Sequence, residues 1–211
     1  MIEMLKEKEH YDIEKENSKD LFYVKKKGLK RQIILAHTSR SHTGYQQSLN
    51  LRYGGKYTKI PTFIVKRDGG IIKNFPPEYH SEFFGDEKID KYSITITLEN
   101  RGWLVRNTQN GEYIDWLGDI YKGEVITKKW RGKLFWEPYT TKQTESVKKL
   151  VGDLCEKFRI PEKFIGHNVK FEGVERFKGI VCRSNYSEHW TDLSPAFNFE
   201  LLTKEKWKNK D

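Results

Sequence analysis

Cysteine is nearly absent: two in 211 residues, Cys155 and Cys182, with no Cys-x-x-Cys pair. That spacing excludes a structural zinc ribbon. Cys155 falls on the apolar side of a helical repeat and Cys182 ends the run Ile180-Val181-Cys182, so both are expected as packed thiols. Long hydrophobic runs are also missing. None approaches the roughly 18 apolar residues of a membrane span, so no span is expected. The start, Met1-Ile2-Glu3-Met4-Leu5-Lys6-Glu7-Lys8, holds no apolar core of a signal peptide. Cytoplasmic synthesis is therefore expected, which argues against a disulfide. Repeats and low-complexity tracts are absent too. With 36% hydrophobic and 33% charged residues, the length suits one soluble domain, or one domain with an appendage.

What is present is positive charge and many aromatic residues, which supply core volume and also suit a sugar-binding face. The formal net charge is +9 and aromatics make up 14% of the chain. A basic surface attracts polyanions, whether nucleic acid or anionic cell-wall polymer, and charge alone does not choose between them or exceed plain solubility as an explanation. Lysine and arginine are spread widely rather than in a stripe, which argues against a nucleic-acid partner.

The pattern of elements predicts three regions. Residues 1–28 read as a charged arm, exposed helix or loose; residues 29–203 as the main domain; residues 204–211 as a basic tail. Strands are predicted at about 32–37, 62–66, 70–73 and 92–99, with Arg67-Asp68-Gly69-Gly70 turning a hairpin. In the last strand Ile94, Ile96 and Leu98 alternate with Thr95, Thr97 and Glu99, giving one apolar and one polar face. Thr140 with Gln143 reads as a capping box. Val147, Leu150, Val151, Leu154 and Phe158 form one helical stripe behind it. Phe164-Ile165 is expected as a short strand. Two insertions are expected, at about 107–136 and 171–189. The first is rich in aromatics, which suit either a sugar-stacking face or a small core of its own.

Three residues carry the chemistry. His37 ends the apolar run Ile33-Ile34-Leu35-Ala36, His167 follows Phe164-Ile165-Gly166, and Asp192 lies in the loop before Pro195. Two imidazoles, a carboxylate and one open position make a catalytic zinc site. The competing readings are ordinary core or surface histidines, and for Asp192 a helix N-cap.

The order of these motifs resembles the zinc-dependent N-acetylmuramoyl-L-alanine amidases of type 2, which include phage endolysins, muropeptide-recycling amidases and the animal peptidoglycan recognition proteins. The resemblance spans about residues 30–200. It rests on Ile33 to His37, Phe63 to Gly70, Tyr79-His80-Ser81, Ser93 to Asn100, Tyr139-Thr140 with Gln143, Gly166-His167, and Trp190 to Phe197. It implies an α/β fold, a central mixed β-sheet flanked by helices with the zinc cleft at the strand ends. It implies Zn²⁺ held by His37, His167 and Asp192, and His80 and Thr97 facing the substrate, peptidoglycan or a muropeptide. Many members carry a glutamate where this chain has Thr97, a lysine where it has Trp190, and some phage members a tyrosine where it has Pro61. Glu99, on the same strand face as Thr97, is the candidate general base, against a reading as a strand-end surface residue. His189 and Arg183 are candidates for stabilising the oxyanion. The expected activity is hydrolysis of the amide between N-acetylmuramic acid and L-alanine, by a monomeric phage endolysin that reaches the wall after release. The alternative is a non-catalytic peptidoglycan-binding module of the same fold.

Overall fold

The computed structural model describes residues 13–14, 23–51, 59–170 and 172–202. The main sheet contains β1 (Ile13–Glu14), β2 (Gln32–His37), β3 (Phe63–Val65), β4 (Ile71–Lys73), β5 (Ser93–Leu98) and β11 (Gly179–Cys182), in the order β1-β4-β3-β5-β2-β11. Strands β3, β5, β2 and β11 run parallel, β4 is antiparallel to β3, and β1 is parallel to β4. The sheet is mixed, and helices flank it: α1 (His42–Leu51), α2 (Glu87–Asp90) and α3 (Thr141–Phe158).

β2 and β5 lie at the centre, and every residue in both is buried. For β2 this follows from its nearly continuous apolar sequence, the signature of a parallel strand covered on both faces. β5 departs from its alternating pattern, since Thr95 and Thr97 are buried with the isoleucines. Their hydroxyls make this tolerable: Thr95 Oγ1 accepts the Thr62 N–H at 2.9 Å, and Thr97 Oγ1 lies 3.5 Å from the Phe63 carbonyl. Buried polar groups that find such partners lose little on leaving water.

Helix α3 packs Val147, Leu150, Val151, Leu154 and Cys155 into the core formed with Ile33, Leu35, Ile94 and Ile96. Cys182 is buried in the same core, and both thiols are free. Thr140 caps α3 by accepting the Gln143 N–H at 3.1 Å. The reciprocal half of the expected capping box is not made. The Gln143 side chain instead donates to the carbonyls of Val65 and Glu99, both at 3.0 Å, tying the helix start to the ends of β3 and β5.

The first insertion is a folded unit. It begins at Trp103, earlier than its composition indicated, with β6 (Trp103–Arg106), β7 (Tyr113–Ile114), β8 (Ile120–Tyr121), β9 (Ile126–Trp130) and β10 (Lys133–Trp136). These form an antiparallel sheet in the order β8-β7-β6-β10-β9 around Trp136, which is fully buried. The second expected insertion contains β11, which extends the main sheet by pairing with β2 from Gly179↔Gln32 to Cys182↔Leu35. Phe164 makes only an isolated bridge, to Ile180. In the expected arm, β1 pairs with β4 and Val24 bridges His80. The rest of residues 1–22 and the tail 204–211 lie outside the described residues. Among the described residues no helix is long and apolar enough to cross a membrane.

Candidate metal centre

The parallel strands β5, β2 and β11 end at one edge of the sheet, where loops from α/β sheets build binding sites. His37 closes β2 opposite Leu98 of β5, and Arg183 follows directly on β11. The His37 ring is 6% exposed. It is wedged against Gly102, whose backbone has φ +81° and whose missing Cβ would stand 2.6 Å from His37 Cε1. Burial pushes the His37 imidazole down to about 4; Asp192 opposes this and Arg183 adds to it. Its Nδ1 is buried without a hydrogen-bond partner.

His167 lies between Trp130 of β9, at 4.6 Å between ring centroids, and Phe199, stacked at 4.5 Å. Burial pushes it, too, down to about 4, against a hydrogen bond to the Leu193 backbone that favours the charged form. Its Nε2 is buried without a partner.

Asp192 is fully buried. Its Oδ2 accepts the His37 N–H at 3.3 Å and lies 2.8 Å from Arg183 Nε. The Nε–H is not aligned on that oxygen as a hydrogen bond, so the contact is an ion pair. The Arg183 guanidinium stands 5.2 Å from the Trp190 ring and 5.8 Å from the Phe83 ring. Asp192 Oδ1 has no partner.

Of the buried polar side-chain atoms without a hydrogen-bond partner among the described residues, which also include His80 Nδ1, Trp130 Nε1 and Ser184 Oγ, three fall one on each expected ligand: His37 Nδ1, His167 Nε2 and Asp192 Oδ1. Native interiors rarely leave such atoms unpaired. Two imidazoles kept neutral by burial and a carboxylate are a donor set suited to zinc. Among the described residues, however, no group of three His, Cys, Asp or Glu stands assembled around one point. The donors fit the ion in kind, and the ion pair holds one Asp192 oxygen to Arg183.

Beside His37 opens a cleft of about 330 Å³. Its lining includes Arg40, Lys59 and Arg183, the aromatic rings of Phe83, Phe84, Trp116 and Trp190, and Thr97, with no carboxylate among the described residues. The remaining expected site residues lie outside this lining. Glu99 Oε1 accepts the His42 N–H at 2.8 Å and Oε2 the Arg67 N–H at 3.0 Å, so its carboxylate joins the start of α1 to the β3–β4 turn. His80 is buried beneath the Val24 bridge, where burial and then Lys30 lower its pKa. His189 is exposed, with its N–H on Ser187 Oγ at 3.2 Å.

Of the aromatics in the insertion, Trp136 fills the small core, Trp130 backs His167 and Trp116 lines the cleft. Gly102 and Arg131 shape the site without standing out in the sequence, and Trp130 reads there only as one of the insertion's aromatics. The turn Trp130-Arg131-Gly132-Lys133 was the visible signal for the last two.

A family described as N-acetylmuramoyl-L-alanine amidase (Amidase_2) matches residues 27–182, a span that includes His37 and His167 and stops before Asp192. Comparison with curated protein sequences returns no match. Among solved structures, the chain is similar to the N-acetylmuramyl-L-alanine amidase AmiD from E. coli in complex with anhydro-N-acetylmuramic acid-L-Ala-D-gamma-Glu-L-Lys. The TM-score is 0.54 at 16% identity, over 84% of this chain and 58% of that one. The chain therefore corresponds to little more than half of AmiD's length. A second similar structure is the N-acetylmuramoyl-L-alanine amidase LysC from Clostridium intestinale URNW, with TM-score 0.44 and 11% identity over 81% of this chain and 80% of that one.

Proposed function

We infer the function from one premise: the chain belongs to the N-acetylmuramoyl-L-alanine amidase family. We propose that it hydrolyses the amide between N-acetylmuramic acid and L-alanine, using one Zn²⁺ held by His37, His167 and Asp192. The observation that carries this reading is the three unpartnered buried atoms, one on each of those residues. Zinc bound there supplies a Lewis acid for the amide carbonyl and the attacking water. AmiD's structure holds a muramyl peptide, and we take peptidoglycan or a muropeptide as the ligand of the cleft here.

The chain's own residues then divide the work. Arg183 is the proposed cation for charge developing on the amide oxygen, because it lines the cleft while His189 does not. It stands beside Trp190, which occupies the position of the lysine many relatives carry, so the positive charge reaches the cleft from another segment. Thr97 contributes a hydroxyl to the lining. A proton-carrying role for Glu99 is set against its place outside the cleft lining, where each oxygen already accepts an amide N–H, from His42 and from Arg67. His80 lies outside the cleft lining, and its backbone carbonyl accepts the Val24 N–H at 2.7 Å.

A phage endolysin is the proposed setting, with wall contact aided by the +9 charge. The second reading, a wall-binding module without catalysis, is favoured by one observation: Thr97 and Trp190 stand where a glutamate and a lysine are usual. Metal analysis of the purified protein, paired with mass spectrometry of digested walls, separates the readings. Stoichiometric zinc and released stem peptides with a free L-alanine amine are expected. Protein that pellets with walls but never clears or cuts them belongs to the second reading.

A further inference from the structure

The inserted sheet places one arginine against both loops that carry the proposed ligands. Trp130 pairs with Lys133, so Arg131 and Gly132 form a two-residue hairpin loop, with φ +47° and +72°. This is the turn that favours Asn-Gly, because a side chain at positive φ is strained. An arginine there sits against local preference, and what it gains is contact. Nε and Nη2 donate to Asn168 Oδ1 at 3.3 and 3.2 Å, Nη2 to the Ser184 carbonyl at 2.9 Å, and Nη1 to the carbonyls of Ser187, at 2.7 Å, and Trp190. Five bonds use the five N–H groups of a guanidinium. Asn168 directly follows His167, and Trp190 stands two residues before Asp192. The same turn brings Trp130 onto the His167 ring.

We propose that Arg131 is a positioning residue. Its planar fork sets the loop 184–192 and the residue after His167 at fixed distances from each other, and thereby orients two of the three metal ligands. It is not one of the proposed ligands and does not line the cleft beside His37. Supporting groups of this kind commonly govern metal affinity about 10–100-fold. The effect on metal rests on the zinc reading above; the effect on the loops does not.

The test uses the full chain, with zinc affinity measured by competition against a chromophoric chelator and backbone order by hydrogen–deuterium exchange. In Arg131→Ala, zinc affinity is expected to fall about 10–100-fold. Exchange should quicken at residues 184–192 and 166–169, while β2 and β5 keep their protection. Arg131→Lys retains the charge on one nitrogen and should leave both readouts displaced, because an ammonium cannot span these acceptors. Full recovery by lysine would mean that charge, not the fork, matters, and would overturn the proposal. So would unchanged exchange in Arg131→Ala, or faster exchange at wild-type zinc affinity, which marks a contact of the fold only. If the wild type takes up no zinc and the variant's loops still exchange faster, the zinc reading fails and the positioning of the loops stands. Should Arg131→Ala not fold, Asn168→Gly removes two of the five bonds, spares the left-handed backbone at φ +64°, and is judged by the same two readouts.

Discussion

Gly102 and His37 touch without room for a further atom: a Cβ on Gly102 would lie 2.6 Å from His37 Cε1. The loop after β5 therefore presses on the ring that ends β2, and glycine is what allows it. Gly102→Ala must displace the imidazole or the loop, and it also places a side chain at φ +81°. The backbone part alone costs about 1–2 kcal/mol. Each kcal/mol lowers the melting temperature by roughly 2–4 °C in a chain of this size. Thermal melting and zinc titration should both register the change. An alanine variant with wild-type melting and zinc affinity would show that the contact constrains nothing.

Arg183 and Asp192 form an ion pair in which the carboxylate is buried and the guanidinium partly exposed. Arg183→Met leaves the Asp192 carboxylate without its cation and removes a positive charge from the cleft. If Arg183 stabilises the oxyanion, kcat should fall about 10²–10³-fold, with Arg183→Lys intermediate. A methionine variant that keeps its kcat would remove Arg183 from the reaction.

Glu99→Gln distinguishes a strut from a base. Glutamine offers one carbonyl oxygen where the carboxylate offers two acceptors to the amides of His42 and Arg67. One half-buried N–H then loses its partner, at up to about 1 kcal/mol, and the melting temperature should fall slightly. As a general base, Glu99 would also be worth about 10²–10⁴ in rate per folded molecule. Loss of stability with the rate intact is the strut outcome. Unchanged melting would show that the two amide bonds contribute nothing.

The two buried imidazoles make stability depend on pH. Both are pushed from 6.5 down to about 4, so between these values the unfolded chain takes up protons that the folded one refuses. In metal-free protein that stability is present above pH 6.5 and is lost as pH falls toward 4. His37→Gln should flatten the slope. Chemical denaturation at several pH values, wild type against variant, measures it; parallel curves would mean that His37 does not titrate as its burial requires.

Much of the frame is legible in the residues themselves. The apolar run before His37, the hairpin at Arg67–Gly70, the Thr140 cap and the stripe from Val147 to Leu154 are short-range patterns, and all four appear in the fold. Such patterns encode period and caps, which depend on neighbours within a few residues. They also place His37 and Thr97 at the strand ends that border the cleft.

What local pattern leaves open is the choice among distant partners. Residues 171–189 look like an excursion from the main domain, yet Gly179–Cys182 pairs with β2, because a parallel strand finds its neighbour through backbone groups that any sequence presents. The strand β5 reads as having one apolar and one polar face, and both are buried, since Thr62 and the Phe63 backbone meet the hydroxyls of Thr95 and Thr97. Glu99 reads as free to act, and its two oxygens are taken by amides from α1 and the β3–β4 turn. Composition alone establishes a basic, aromatic chain; the motif order and the resemblance it carries single out two of its six histidines and one aspartate as a set that would suit zinc. Only the tertiary structure decides that Arg183 holds that aspartate and that an inserted hairpin carries the arginine bracing the loop before it. A charged side chain has many possible partners along the chain, and the packing of distant segments selects among them.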